Sequence, residues 1–203
     1  MPETVLKTYE GIYVFDDTWA AIGKKGNDFH FYTSGTYAKM HFETPNRFVN
    51  EEFQAVKTLF KDENGTIAGY TRSVGGREYP SATKVTRMDT LQLPAGLWGE
   101  IGWYYFETGQ YAASLAAYNR GAARAPEDVV MQINLAHAHL YNGEYSTAIG
   151  IYKTHLNAVI RPGYTGADQL ADDYRYLKET QYDVAAFDKV FKDLKLKKPG
   201  DNG

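Results

Sequence analysis

Thirty-four residues after Gly109 stands Gly143, after Tyr111 stands Tyr145, and after Tyr118 stands Tyr152. A fixed period of that size marks a stacked repeat, in which each unit is a helix pair that buries its apolar face only against its neighbours. Within "GLWGEIGWYYFETGQYAASLAAYNRGAARAPED" apolar residues fall three and four apart, "ETGQ" interrupts them midway, and Pro126 ends them. The segment therefore reads as helix, tight turn, helix. Residues 129–162 repeat the design. A wider loop, "RPGYTG", then precedes "ADQLADDYRYLKETQYDVAAFDKVFKDLKL", which reads again as a helix pair, over 166–196. Its charged outer face suits the cap that ends such a stack. About six helices are expected over residues 95–198.

Upstream of "MDTLQLPAG" the period is two. "YEGIYVF", "TWAAIGKKG", "DFHFYT", "TYAKMHFET", "NRFVN", "FQAVKTLFKD", "TIAGYTRS" and "REYPSATKVTR" are rich in aromatic and β-branched residues. "DDT", "KKGND", "TSGT", "TPN", "DENG" and "VGG" supply turn residues between them, with Asn64–Gly65 read as a type I′ hairpin. Eight strands so connected predict a small antiparallel eight-stranded barrel, or a strongly curved sheet, over 5–88. With helices following strands, the fold class is α+β.

The residues at fixed offsets carry a family likeness. Residues 95–128 resemble the tetratricopeptide consensus at Trp98, Gly102, Tyr105, Gly109, Tyr111, Tyr118 and Pro126, and depart from it at Ser114 and Gly121, where alanine is usual. Residues 129–162 keep Leu135, Ala136, Gly143, Tyr145, Ala148 and Tyr152, but have Gln132 in the tryptophan place and His155 where a small residue is usual. The β half, at Leu6, Tyr9, Gly11, Tyr13, Phe48, Phe60, Gly65, Gly69 and Ala82 to Val85, is similar to the lipocalin-like barrel that follows the catalytic domain in many beta-lactamase-related serine hydrolases. Some members of that family continue into tetratricopeptide repeats, the order seen here. The resemblance implies a bacterial accessory domain without its hydrolase, either stand-alone or the C-terminal region of a larger chain. In the second case the location is periplasmic or secreted.

Ser81, Ala82, Thr83 and Lys84 spell the S-x-x-K signature of those enzymes, which works where the serine opens a helix. In a strand, residues three apart point to opposite faces, and Pro80 with its β-branched neighbours opposes a helix there. S-D-N and K-T-G are absent, and the nearest K-x-G, Lys198 to Gly200, falls in a tail. No catalytic residue is assigned, and the chain is expected not to be an enzyme.

Charge and residue spacing narrow the other classes. With 22 Lys+Arg against 25 Asp+Glu and a net charge of -3, no basic stripe precedes "KDLKLKK", and that run suits the solvated end of a last helix. Nucleic acid is not an expected partner. No stretch reaches the ~20 apolar residues of a membrane span. The start has no signal-peptide pattern, so the chain as given reads as soluble. The chain has no cysteine. Among His30, His41, His137, His139 and His155, the pair His137/His139 lies roughly 200° apart around a helix and does not chelate from one face. Asp16 and Asp17 fall in a hairpin turn, and Asp172 and Asp173 on an exposed helix face. No metal site is expected. No glycine loop opens a helix after a strand, so no cofactor is expected either.

Two surfaces remain. The repeat register places Trp103, Phe106, Glu107, Ile133, His137 and Tyr141 on the concave face, an aromatic and apolar groove suited to anchoring a protein or peptide segment. In so short an array, the barrel or the third helix pair competes to cover that face. The clamp for chaperone C-terminal carboxylates is not matched, since Gly99, Trp103 and Ile133 stand where polar groups are needed. In the barrel, Phe29, Phe31, Tyr37, Phe42, Phe53, Phe60 and Tyr70 either line a cavity for a small apolar ligand or fill the interior. A non-catalytic interaction module, whose partner is a peptide segment or a hydrolase domain, is the first reading; a small-ligand carrier is its alternative.

Overall fold

Alternating burial in the N-terminal half builds one nine-stranded antiparallel sheet in the computed structural model of the chain, which describes residues 2–15, 18–33, 35–50, 54–86 and 92–200. A short helix, α1 (Glu3–Lys7), precedes β1 (Gly11–Phe15), β2 (Thr18–Lys25), β3 (Asp28–Thr33), β4 (Thr36–Lys39), β5 (His41–Thr44), β6 (Arg47–Asn50), β7 (Ala55–Lys61), β8 (Ile67–Val74) and β9 (Arg77–Lys84). The sheet order is β4-β3-β2-β1-β9-β8-β7-β6-β5. First and last strands meet in the middle, with Tyr13 opposite Lys84 and Val14 opposite Thr83. The two edge strands, β4 and β5, are consecutive in the chain and separated only by Met40, so the sheet curls into a nearly closed barrel. Asn50, at the end of β6, reaches across to the β4 edge, its Nδ2 donating to the Lys39 carbonyl at 3.2 Å.

The count of eight strands is corrected at "TYAKMHFET". Both halves keep the period-two pattern, but the N–H of Met40 donates to the Phe29 carbonyl and its side chain is buried, and the chain there leaves β3 for β6. The Asn64–Gly65 turn is also corrected. Asp62 accepts from both Asn64 and Thr66 through Oδ1, Gly65 returns its N–H to the Asp62 carbonyl, and Gly65 has φ of 78°. That is a three-residue loop with glycine in the left-handed position, not a type I′ turn. Tyr13, Ile22, Phe31, Phe48, Leu59, Tyr70 and Ala82 form one buried cluster facing the interior, with Tyr9 and Met40 beside them. Asp16, Asp17, Phe53 and residues 88–91 of the connector lie outside the described residues.

The second compact unit, residues 94–203, holds α2 (Ala95–Glu107), α3 (Tyr111–Arg124), α4 (Val129–Tyr141), α5 (Tyr145–His155), α6 (Gly166–Glu179) and α7 (Ala185–Asp193). From Ala95 to Val129, and from Tyr111 to Tyr145, helix starts repeat at the 34-residue offset of the sequence. The "RPGYTG" loop holds two short strands that sequence reading did not anticipate, β10 (Val159–Arg161) and β11 (Tyr164–Thr165). Where the repeats depart from alanine, packing explains it. Ser114 donates its hydroxyl to the Gly102 carbonyl at 2.9 Å, and a Cβ at Gly121 would meet Met131 Sδ at 2.6 Å.

The periodic glycines close helices. After α2, Gly109 donates to the Phe106 carbonyl and Gln110 to that of Tyr105; after α4, Gly143 donates to Leu140 and Glu144 to His139. This paired pattern needs a left-handed residue, and Gly109 and Gly143 have φ of 74° and 79°. The third pair turns the same way without glycine: Gln181, at φ 65°, donates to Lys178, and Tyr182 to Leu177. A side chain in that conformation is strained. Gln181→Gly is therefore expected to stabilise the protein by about 0.5–1 kcal/mol in denaturant melts. Unchanged or lower stability would show that the glutamine side chain contributes more than the strain costs.

Candidate functional site

The six concave-face residues come together, but beneath the chain's own third helix pair. Phe106, Ile133 and His137 are fully buried, Glu107 nearly so, and Trp103 and Tyr141 half-buried. Tyr176 lies 5.8 Å from the Trp103 ring and donates its hydroxyl to the Glu107 carboxylate, while Tyr182 donates to the Glu107 backbone carbonyl at 2.6 Å. Tyr141 donates to the Asp183 carbonyl at 2.5 Å, and Phe187 stands 4.9 Å from the His137 ring. Of the two covers expected for that face, a partner or the chain itself, the third pair supplies it: α6 and α7 place Leu170, Tyr174, Leu177, Phe187, Val190 and Phe191 in the same cluster.

His137 of α4 links α5 and α6 within that core. Its Nδ1 is hydrogen-bonded to the Tyr152 hydroxyl at 2.5 Å and its Nε2 to Asp173 at 3.0 Å, whose other oxygen accepts from Gln169 at 2.9 Å. Burial pushes the Tyr152 phenol well above its ordinary range, so it keeps its proton. Asp173, expected on an exposed face, has a side chain only 13% exposed, because it faces this imidazole. Asp172, half-buried as a residue, pairs with Arg175 at 3.0 Å.

Ser81 and Lys84 both lie in β9. Ser81 is exposed, whereas the Lys84 ammonium donates to the Thr8 carbonyl at 2.8 Å and reaches within 6.0 Å of the Tyr13 ring. The S-x-x-K spacing there belongs to a strand and not to a helix start.

The barrel interior holds a group that sequence reasoning missed. In β7, Ala55, Lys57 and Leu59 are buried while Val56 and Thr58 are half-buried, so the period of two turns a lysine inward. Lys57 is 1% exposed; its ammonium donates to Asn50 Oδ1 at 2.6 Å and stands 4.0 Å from the Phe31 ring centroid. Phe48 is opposite it on β6 and Arg72 opposite it on β8, the guanidinium resting on the rings of Tyr79 and Phe15. Burial first, and the Arg72 charge second, push the Lys57 amine down to about 7.

Beside it stands Tyr70, also 1% exposed, whose ring meets Phe31 edge-on at 5.7 Å and Tyr13 at 5.4 Å. Its buried hydroxyl has no hydrogen-bond partner among the described residues. Burial pushes this phenol up as well, so it remains a proton donor at neutral pH. The Lys57 amine, held by the Asn50 amide, and the Tyr70 ring thus both meet Phe31. Of the other aromatics expected to line the barrel, Phe29, Tyr37 and Phe42 are half-buried, and Phe60, at 38% exposure, points out. The available signal was "AVKTL", a charged residue at an inward position of an alternating strand.

Among the described residues no three His, Asp or Glu side chains gather as a metal site would need, and no helix is long and apolar enough to cross a membrane. Comparison with protein-family models, with curated proteins and with solved structures finds no match.

Proposed function

We propose that the chain is a non-catalytic accessory protein whose barrel unit binds a small organic molecule at the polar cluster around Phe31. The observation that carries this is the unsatisfied hydroxyl of Tyr70, whose ring packs against the same Phe31 ring as the buried Lys57 amine. A buried hydroxyl without a partner costs about 1–3 kcal/mol, and a desolvated ammonium costs more. A barrel serving only as packed core is better filled by phenylalanine and leucine at these positions. A ligand bearing an acceptor atom satisfies the Tyr70 hydroxyl.

The likeness to the barrel of beta-lactamase-related serine hydrolases supports reading the unit as an accessory to such an enzyme, in the periplasm or outside the cell. An upstream coding sequence with its own S-x-x-K at a helix start is what that reading expects. The helical unit is read as a short tetratricopeptide stack, 95–128 and 129–162, closed by its third pair. The shared offset and the common turn geometry support it.

Tyr70→Phe tests the binding reading. In ligand-free protein the variant is expected to be more stable than wild type by about 1 kcal/mol in urea melts, because the unpaired hydroxyl is gone. A loss of stability of that size would mean that the hydroxyl already has a protein partner, and the observation behind the proposal would be removed.

A further inference from the structure

We infer that Lys57 captures an apolar aldehyde inside the barrel as a reversible imine. This rests on reading the barrel as a binding site and names the ligand class. The amine is fixed in direction by its 2.6 Å bond to Asn50 Oδ1, whose own amide is tied to the Lys39 carbonyl at the barrel seam. It lies over the Phe31 face, with Phe48 5.7 Å away and Tyr13, Leu59 and Tyr70 in the same apolar cluster. These walls suit a hydrocarbon tail. Directly across the β7–β8 ladder stands Arg72, so the site repels a second cation, and a desolvated amine beside a cation is the setting in which lysine serves as a nucleophile. The amine's lowered pKa, about 7, leaves neutral nitrogen available near neutral pH.

The step balances without an oxidant or reductant. The nitrogen lone pair adds to the carbonyl carbon, the C=O π pair moves to oxygen, and a proton passes from nitrogen to that oxygen. The carbinolamine then loses its hydroxyl with a second proton from nitrogen as one water, leaving C=N. The Tyr70 phenol shares the Phe31 ring with the amine, and its O–H supplies the hydrogen bond that the developing oxygen needs. A carboxylate ligand is the competitor: it would hold the amine as ammonium and form no bond to it.

The full chain is incubated with octanal and sodium cyanoborohydride, which reduces an imine to a stable secondary amine, and the adduct is located by peptide mass mapping. The expected result is labelling of Lys57 by roughly tenfold or more over any other lysine. The same labelling should be slowed about tenfold in Tyr70→Phe. Labelling spread evenly over the lysines, or sparing Lys57, overturns the inference. Octanol and octanoate, titrated by intrinsic fluorescence, separate the two levels. If they bind saturably while Lys57 stays unlabelled, the imine falls and the binding site stands. If neither they nor octanal bind, the binding site falls as well.

Discussion

Trp98→Ala and Phe106→Ala are each expected to lower the unfolding free energy by about 3–5 kcal/mol. Both rings are fully buried. Trp98 packs inside the first helix pair, with the guanidinium groups of Arg120 and Arg124 5.3 and 5.8 Å from its ring. Phe106 stacks on Trp103 at 5.5 Å and meets Tyr141 at 4.8 Å and Tyr111 at 5.6 Å, beneath the third pair. The comparison matters because the repeat register puts Phe106 on the concave face. With that face open to solvent its truncation costs less than about 1 kcal/mol, as exposed substitutions do. Urea melts of the two variants distinguish the cases. A large loss for Trp98→Ala alone would mean that α6 and α7 do not cover the face in solution.

A second large effect is electrostatic. The folded state lowers the Lys57 pKa from 10.5 to about 7, so between these values the unfolded chain binds more protons. Stability rises with pH through that window, and the desolvation penalty is fully present below about 7 and relieved by 10.5. Relative to Lys57→Met, wild type is expected to gain on the order of 4 kcal/mol across the window. Below it the two stability curves should run parallel. The variant removes the titration, although it also leaves the Asn50 carbonyl without this donor. Parallel curves from about pH 6 to about pH 10 would show that the amine is solvated in the folded protein.

The elements of the barrel and of the helix pairs were largely legible, since periods of two and of 3.6 follow directly from backbone geometry. The break at Met40 was not, because both sides of it continue the alternation and only closure of the barrel makes the strand change edges. The concave face was half legible. An apolar stripe on Phe106, Ile133 and Tyr141 reads the same whether a partner or the chain itself covers it. What decides is the third pair, whose Leu170, Tyr174, Leu177 and Phe187 supply the cover. Lys57 was visible as a charged residue in an inward register, but the aromatics around it drew attention to cavity walls rather than to what they enclose. Tyr70 was named among those walls. That its hydroxyl lacks a partner is a property of three-dimensional packing, beyond the reach of any spacing rule.

The most direct measurement is native mass spectrometry of gently purified wild type and Tyr70→Phe, each compared with its own denatured mass. Ligand binding in the barrel requires wild type to carry a small organic mass that is released on denaturation or, after borohydride reduction, remains on Lys57; occupancy should be lower in Tyr70→Phe. Wild type that shows only its polypeptide mass, and that takes up neither octanal, octanol nor octanoate when these are added, would contradict the proposed function.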